Sequence, residues 1–231
     1  MIDKKAQQSG YEKGKEGNGM KTDSEQFRLY AVTDRAWTGK QTLYEQVEEA
    51  LRGGITFLQL REKQLSREQL VEEARQLKQL CGQYKVPFVI NDSVEVAKAV
   101  DADGVHLGQE DGSVKEARRL LGADKWIGVS AHNVEEAIKA ERDGADYLGV
   151  GAVFPTTSKQ DVTPLSKDTI RAITQAVQIP VVAIGGICEE NVGQLQDTGI
   201  DGVAVIRGIF GQKDIAGATR ALRESVEQIV E

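Results

Sequence analysis

The chain has 231 residues, 40% of them hydrophobic, and a formal net charge of −7, enough for one sizeable core and too short for two comfortable domains. The acidic balance argues against non-specific nucleic-acid binding. Two cysteines (Cys81, Cys188) and two histidines (His106, His132) exclude a disulfide scaffold and a Cys/His zinc site, while a hard cation held by carboxylates stays open. The longest apolar stretches, such as 179–184, fall far short of the ~20 residues a membrane helix needs. With no long apolar segment at the N-terminus, a soluble cytoplasmic protein is expected.

Residues 1–26 are rich in Lys, Glu, Gly and Gln and have almost nothing to bury, so they are expected to be a disordered tail outside the fold. From residue 27 to 231 short apolar runs alternate with helical patterns. Strands are predicted at 27–32, 55–61, 87–90, 104–107, 126–129, 146–150, 181–184 and 202–206. Helices are predicted at 42–52, ended by Gly53-Gly54, at 66–83 behind the capping box Ser66-x-x-Gln69, and at 94–100. Ser113-x-x-Glu116 and Asn133-x-x-Glu136 cap the next two. A long loop at 154–166 precedes helices at 167–176, 189–198 and 214–230. Eight strand–helix units in about 205 residues, roughly 26 each, predict a single-domain (β/α)8 barrel of the TIM type. A doubly wound sheet is the rival; eight units and the lack of GxGxxG after the first strand count against it. A phrase recurs at the helix-to-strand joins: Ala102-Asp103-Gly104-Val105, Ala145-Asp146-Tyr147-Leu148 and Ile200-Asp201-Gly202-Val203. Each sets a turn signal before an apolar strand.

In a barrel all strand C-termini converge on one rim, where ligands bind. The second strand carries Ile55, Phe57, Gln59, Arg61 and Lys63 on one face, greasy at the start and cationic at the end. Cations there need carboxylates or an anionic ligand beside them. The third strand ends in Asn91-Asp92-Ser93, which taken alone reads as a helix N-cap. The fourth leads to Gly108-Gln109-Glu110-Asp111; with Ser113 as the cap, Asp111 is left over. Two acids on adjacent strand ends suit magnesium, which binds through one or two carboxylates plus substrate phosphates. The fifth ends in Ser130-Ala131-His132, where Ser130 either donates to a phosphate or serves the turn. His132 is given no role, and His106 is read as a packed, hydrogen-bonded residue inside the fourth strand. The loop Phe154-Pro155-Thr156-Thr157-Ser158-Lys159 reads either as a lid over an anion or as a flexible connection, with Lys159 a cation for charge developing on a leaving group. The seventh and eighth strands end in Ile184-Gly185-Gly186-Ile187 and Val205-Ile206-Arg207-Gly208, a place where this fold binds phosphate through backbone N–H groups.

As an ordered set, QLREK (59–63), VPFVINDS (86–93), DGVHLGQED (103–111), GVSAH (128–132), PTTSK (155–159) and AIGGI (183–187) resemble the thiamine-phosphate synthase family over nearly all of 27–222. The resemblance implies a magnesium-dependent transferase of thiamine biosynthesis. It would join a hydroxymethylpyrimidine diphosphate to hydroxyethylthiazole phosphate, or its carboxylated form, releasing pyrophosphate and thiamine phosphate. Pyrophosphate leaves first, giving a pyrimidine-stabilised cation that the thiazole nitrogen attacks. Carried over by motif, Gln59, Arg61, Lys63, Asn91, Ser130 and Lys159 would bind the pyrimidine diphosphate. Arg61, Lys63, Ser130 and Lys159 among them would be the catalytic set, and Asp92 and Asp111 the magnesium ligands. Thr156, Thr157, Ser158, Gly186, Ile206 and Arg207 would contact the thiazole phosphate. The family usually has serine at position 207; arginine there either grips phosphate or turns away. A thiazole tautomerase on the same fold is the nearest alternative, disfavoured by Lys63, Asp92 and Asp111. A non-catalytic phosphate-ligand-binding barrel is a second, and it leaves the two acids and the hydroxyl-rich loop without work.

Overall fold

The computed structural model describes residues 24–39, 41–156 and 164–230. Its elements are, in order, β1 (Leu29–Val32), α1 (Leu43–Gly53), β2 (Phe57–Leu60), α2 (Arg67–Tyr84), β3 (Phe88–Asn91), α3 (Val94–Ala99), β4 (Gly104–Leu107), α4 (Val114–Leu121), β5 (Trp126–Ala131), α5 (Val134–Asp143), β6 (Tyr147–Gly151), α6 (Lys167–Ala176), β7 (Val181–Ile184), α7 (Glu189–Val192), β8 (Gly202–Val205), α8 (Arg207–Phe210) and α9 (Ile215–Glu227). The strands pair in parallel in sequence order and β8 closes on β1, so the expected (β/α)8 barrel is formed. No helix among the described residues is long and apolar enough to cross a membrane.

Most predicted elements lie within one or two residues of the observed ones; the departures have local causes. Ser24–Phe27 form a 3-10 turn rather than the end of a tail and the start of a strand. Residues 1–23 of the expected tail lie outside the described residues. Ile55 joins the outer core and precedes β2, so the shared inward face of that segment starts at Phe57. Ser113 precedes α4 without a side-chain capping bond. The turn before it is closed instead by the Gly108 N–H on Asp111 Oδ2 at 2.8 Å and left through Gly112 at φ +116°. That turn governs how the chain reaches the helix. The capping box at Ser66 and the Asn133 cap are formed as expected. The helix predicted at 189–198 changes at Gly193 into a 3-10 turn, Gly193–Leu195, at the residue with the highest backbone entropy to lose. Ile206 and Arg207 leave the last strand for α8, whose four residues are too few to show a helical period in sequence.

Alternation along each strand separates two cores. Outward residues such as Leu58, Ile90, Val105 and Leu148 pack under the helices. Inside the barrel Phe27, Phe57, Trp126 and Tyr147 meet at ring-centroid distances of 4.8 to 6.3 Å, as offset and edge-on pairs. Phe27 reaches in from the 3-10 turn and plugs the bottom. Glycines make this crowding fit. A Cβ on Gly104 would strike Trp126, one on Gly128 would strike Tyr147, and one on Gly202 would strike the Phe27 carbonyl.

The recurring Asp at the helix-to-strand joins does more than turn the chain. Asp103, Asp146 and Asp201 donate their backbone N–H to the carbonyls of Phe88, Ile127 and Val181, each at 2.8 Å. The carboxylate of each accepts the N–H of that same residue, at 2.8, 2.6 and 2.8 Å. Thr56 makes the equivalent double contact with Leu29 through its hydroxyl and backbone. Each even-numbered strand therefore clamps the start of the odd strand before it, where the ladder would otherwise leave an N–H unpaired. Arg118 reinforces one clamp, its Nη2 lying 2.6 Å from Asp146 Oδ2.

Replacing Asp201 with Ala strands the buried Val181 N–H and should lower unfolding stability by ~1–3 kcal/mol, while Asn, whose amide oxygen still accepts, should recover more than half of that loss. Urea denaturation of the three proteins checks this; equal losses for Ala and Asn would remove the side-chain acceptor from the account.

Candidate active site

A cavity of about 630 Å³ opens at the C-terminal ends of the strands. Its lining comes from most of the barrel, because inward-pointing residues near the ends of most strands, such as Gln59, His106 and Ser130, reach this level. Strand β2 contributes Gln59, which is 4% exposed, and then Arg61 just beyond the strand. Strand β3 contributes Asn91, β4 His106 and β5 Ser130. On the far side lie Thr156, Gly186, Ile206 and Arg207. Of the two substrate groups expected from sequence, Gln59, Arg61, Asn91 and Ser130 of one and Thr156, Gly186, Ile206 and Arg207 of the other line one cavity; Lys63 lies beyond its lining, and Thr157, Ser158 and Lys159 lie outside the described residues.

The QLREK segment divides its work by position. Gln59 points into the barrel and its Nε2 donates to the Tyr30 hydroxyl at 2.6 Å. The Arg61 backbone N–H donates to Thr33 Oγ1 at 2.9 Å, and that hydroxyl donates to the Arg61 carbonyl at 3.3 Å. This fixes where the guanidinium starts. Arg61 Nη1 stands 4.0 Å from Asp34 Oδ2, too far for a hydrogen bond, so the attraction is Coulombic and the donors stay turned to the cavity. Glu62 serves structure: its carboxylate, almost fully buried, accepts from Arg35 Nε at 3.2 Å. Arg35 in turn grips both oxygens of Glu73 at 2.7 and 2.6 Å. Lys63 is exposed and lies beyond the cavity lining, with its charge acting on Asp92.

The tripeptide Asn91-Asp92-Ser93 resolves into three roles. Ser93 is the N-cap of α3, its Oγ accepting from the Val96 N–H at 3.3 Å. Asn91 faces the cavity, and its side chain favours the charged form of the Asp92 carboxylate. Asp92 adopts φ +63°, in the left-handed region that non-glycine residues rarely occupy. Its carboxyl meets that of Asp111 from the next strand end. Desolvation first, then the Asp111 carboxylate, push the Asp92 carboxyl from the ordinary 3.8 up to about 6, with Lys63 and Asn91 working the other way. The two acids sit on the rim beside Asn91, and no third His, Cys, Asp or Glu joins them among the described residues.

At the other end, the strand-six loop is tied to β7 by Val153 N–H on the Ile184 carbonyl at 2.9 Å and Phe154 N–H on the Gly185 carbonyl at 3.0 Å. Gly185 and Gly186 take φ +106° and +67°, and a Cβ on Gly186 would strike Phe154 and the Pro155 carbonyl. Glycine is required there both by conformation and by contact. Arg207 opens α8, lines the cavity and holds its guanidinium 5.7 Å from the Trp37 ring centroid, a cation–π distance. Thus it neither lies apart from the cavity nor hangs free.

The sequence reading passed over the first strand end. Tyr30, Val32 and the turn carrying Asp34 and Trp37 shape the cavity and its charge. The signal was present as the switch from Leu29–Val32 to Thr33-Asp34-Arg35, the same apolar-to-polar change as in QLREK. Tyr147, on β6, was also missed. Burial raises the pKa of both Tyr30 and Tyr147 above that of an ordinary phenol, so both remain hydroxyls. His106 is packed and hydrogen-bonded as read, while His132, given no role, lines the cavity with its Nδ1 2.9 Å from Glu136 Oε2. Burial and the Glu190 carboxylate raise the Cys188 thiol, making it a poor nucleophile.

Comparison with known proteins agrees with this arrangement. Residues 29–209 match the family model described as thiamine monophosphate synthase. A thiamine-phosphate synthase of Clostridium acetobutylicum is 47% identical over 202 residues, covering 87% of this chain and 96% of that one. One from Chloroflexus aurantiacus is 49% identical over 201 residues, covering 87% and 93%. Among solved structures, a thiamine phosphate pyrophosphorylase from Pyrococcus furiosus superposes with a TM-score of 0.83 at 41% identity, over 90% of this chain and 99% of that one. The class is a (β/α)8 transferase. The chain belongs to the thiamine monophosphate synthase family.

The raised Asp92 carboxyl sets a pH dependence. Between the ordinary 3.8 and about 6 the unfolded chain gives up this proton before the folded one, so folded stability falls as pH rises through that window. Asp92→Asn should therefore melt above the unsubstituted protein at pH 7.5 without divalent cation, with the gap closing towards pH 4. A gap that is the same at both pH values, in thermal scans, would contradict the two-carboxylate pairing.

Proposed function

We propose that the protein is a thiamine-phosphate synthase, a transferase of thiamine biosynthesis working on small molecules in the cytoplasm. It condenses hydroxymethylpyrimidine diphosphate with hydroxyethylthiazole phosphate, or with the carboxylated form of the latter, which then also loses its carboxyl group as CO2 and takes up a proton at that carbon. The observation that carries this reading is one cavity with two anion-friendly ends. Gln59, Arg61, Asn91 and Ser130 stand at one, and Thr156, Gly186, Ile206 and Arg207 at the other. A tautomerase or a phosphate sensor would need only one. Relatives of 43 to 49% identity that are named thiamine-phosphate synthase favour the same choice.

In the reaction the bond between the pyrimidine methylene carbon and the diphosphate oxygen breaks, and its electron pair leaves with pyrophosphate. The lone pair of the thiazole nitrogen then forms the new carbon–nitrogen bond. No proton is removed at that nitrogen, so no general base is required. What the site must supply is orientation and stabilisation of a departing anion, the two effects that carry much of the ~8 kcal/mol or more typical of enzymic rate enhancement. Arg61 brings fixed positive charge, Lys63 adds a second cation at the rim, and Ser130 offers a hydroxyl donor. Lys159, Thr157 and Ser158, which lie outside the described residues, would complete the set. Asp92 and Asp111 fit magnesium: two neighbouring carboxylates, one raised first by desolvation and then by the other, are what a hard divalent ion relieves. Magnesium, when bound, would neutralise diphosphate charge.

Purified protein given magnesium and both substrates should release thiamine phosphate and pyrophosphate in equal amounts. Folded protein that binds thiazole phosphate tightly yet makes no product over hours would refute the reading. Asp92→Ala should reduce turnover by ~100-fold or more while thiazole phosphate affinity, by calorimetry, changes less than about threefold. Unchanged turnover would remove Asp92 from the metal site. Arg207→Ser should weaken thiazole phosphate binding by about 2- to 5-fold, the worth of one exposed ion pair. A large loss of turnover at constant affinity would contradict a phosphate contact.

A further inference from the structure

Beneath the cavity a line of side chains crosses the barrel interior without a break. Gln59 Nε2 donates to the Tyr30 hydroxyl at 2.6 Å. The Tyr30 and Tyr147 hydroxyls are 2.9 Å apart, Tyr147 Oη is 3.2 Å from His106 Nδ1, and His106 Nε2 is 3.1 Å from Ser130 Oγ. Five residues from β1, β2, β4, β5 and β6 thus form one chain that surfaces at Ser130. The barrel is shaped around it. A Cβ on Gly128 would lie 2.5 Å from His106 Nδ1, and one on Gly149 3.0 Å from His106 Cε1, so the imidazole sits in a slot that only glycines leave open.

Each hydroxyl in such a chain can pass on only one hydrogen, so the direction of the first bond determines the rest. With the Gln59 amide donating, Tyr30 donates to Tyr147 and Tyr147 donates to His106 Nδ1. That nitrogen is then an acceptor, the ring hydrogen resides on Nε2, and Nε2–H donates to Ser130 Oγ. The Ser130 carbonyl is separately engaged by Gln109 Nε2 at 2.5 Å. In that arrangement Ser130 keeps its hydroxyl hydrogen for a partner in the cavity it lines.

We propose that His106 is a positioning residue for the synthase reaction: held as the Nε2–H tautomer by Tyr147, it keeps the Ser130 hydroxyl a donor towards the diphosphate. The inference rests on Ser130 serving the diphosphate, as put forward above. It adds that a buried chain beginning at Gln59 dictates which way that hydroxyl points. Without it a serine at this position could equally donate its one hydrogen to the floor and offer the departing anion only lone pairs.

Two measurements test this on the full-length protein. In the ¹⁵N spectrum of labelled enzyme, the His106 nitrogens, assigned by their loss in His106→Gln, should show Nε2 protonated and Nδ1 bare. In kinetics, Gln places an amide near the Nε2 position and Asn near Nδ1. His106→Gln should therefore keep turnover within about fivefold of the unsubstituted enzyme, while His106→Asn should lose ~30-fold or more in kcat with KM for the diphosphate changed less than about threefold. In a Ser130→Ala background the Asn substitution should then cost less than about twofold, because the group it positions is gone. Thermal melts confirm that each variant is folded. An Nδ1–H tautomer, equal losses for Gln and Asn, or a full ~30-fold loss in the Ser130→Ala background would each overturn the role of His106. Full turnover of Ser130→Ala itself would overturn the part assigned to Ser130 and this inference with it.

Discussion

Strand register is the constraint on which the rest of this structure depends, and four clamps hold it. In a closed parallel barrel a one-residue slip would send every inward side chain outward. Here Thr56, Asp103, Asp146 and Asp201 each bind both polar groups of the first residue of the preceding strand, or of the residue next to its start. They do so at the bottom, away from the cavity. Stability and chemistry therefore occupy opposite ends of the same strands, and the loops at the top are left to meet ligands.

Space inside the barrel is the second determinant. A full set of inward branched side chains would fill it to the rim. Instead, glycines at 104, 128, 149, 151 and 202 face large neighbours, and a floor of aromatic rings with a polar upper surface lies beneath an open cavity. Because Tyr30 and Tyr147 are buried as neutral hydroxyls, the floor offers hydrogen bonds without buried charge. Charge is kept above it, at Arg61, Arg207 and the Asp92–Asp111 pair.

Much of this was legible in the residues. Short apolar runs alternating with helical periods reveal a (β/α)8 fold because both periods are local. The polar end of QLREK and the Gly-Gly after the seventh strand marked two sides of the cavity, since an apolar strand ending in charge needs an explanation wherever it sits. The capping box at Ser66 was readable for the same local reason. Ser113 takes the N-cap position of α4 as expected but makes no side-chain capping bond, and the preceding turn closes on Asp111. The first strand end was overlooked although Thr33-Asp34-Arg35 carried the same signal as Gln59-Leu60-Arg61. The short helix α8 had too few residues to announce itself.

By itself the sequence determined the element order, the fold class and the residue types that gather at the rim, because these follow from periodicity and side-chain chemistry within a few positions. Only the tertiary structure decided which of them touch. Tyr30 and Tyr147 are 117 positions apart and share a hydrogen bond. Arg207 finds Trp37 across the closing seam of the barrel, and Asp92 meets Asp111 rather than capping a helix. Such contacts are fixed by register and closure summed around eight strands, a global condition that no window of sequence contains.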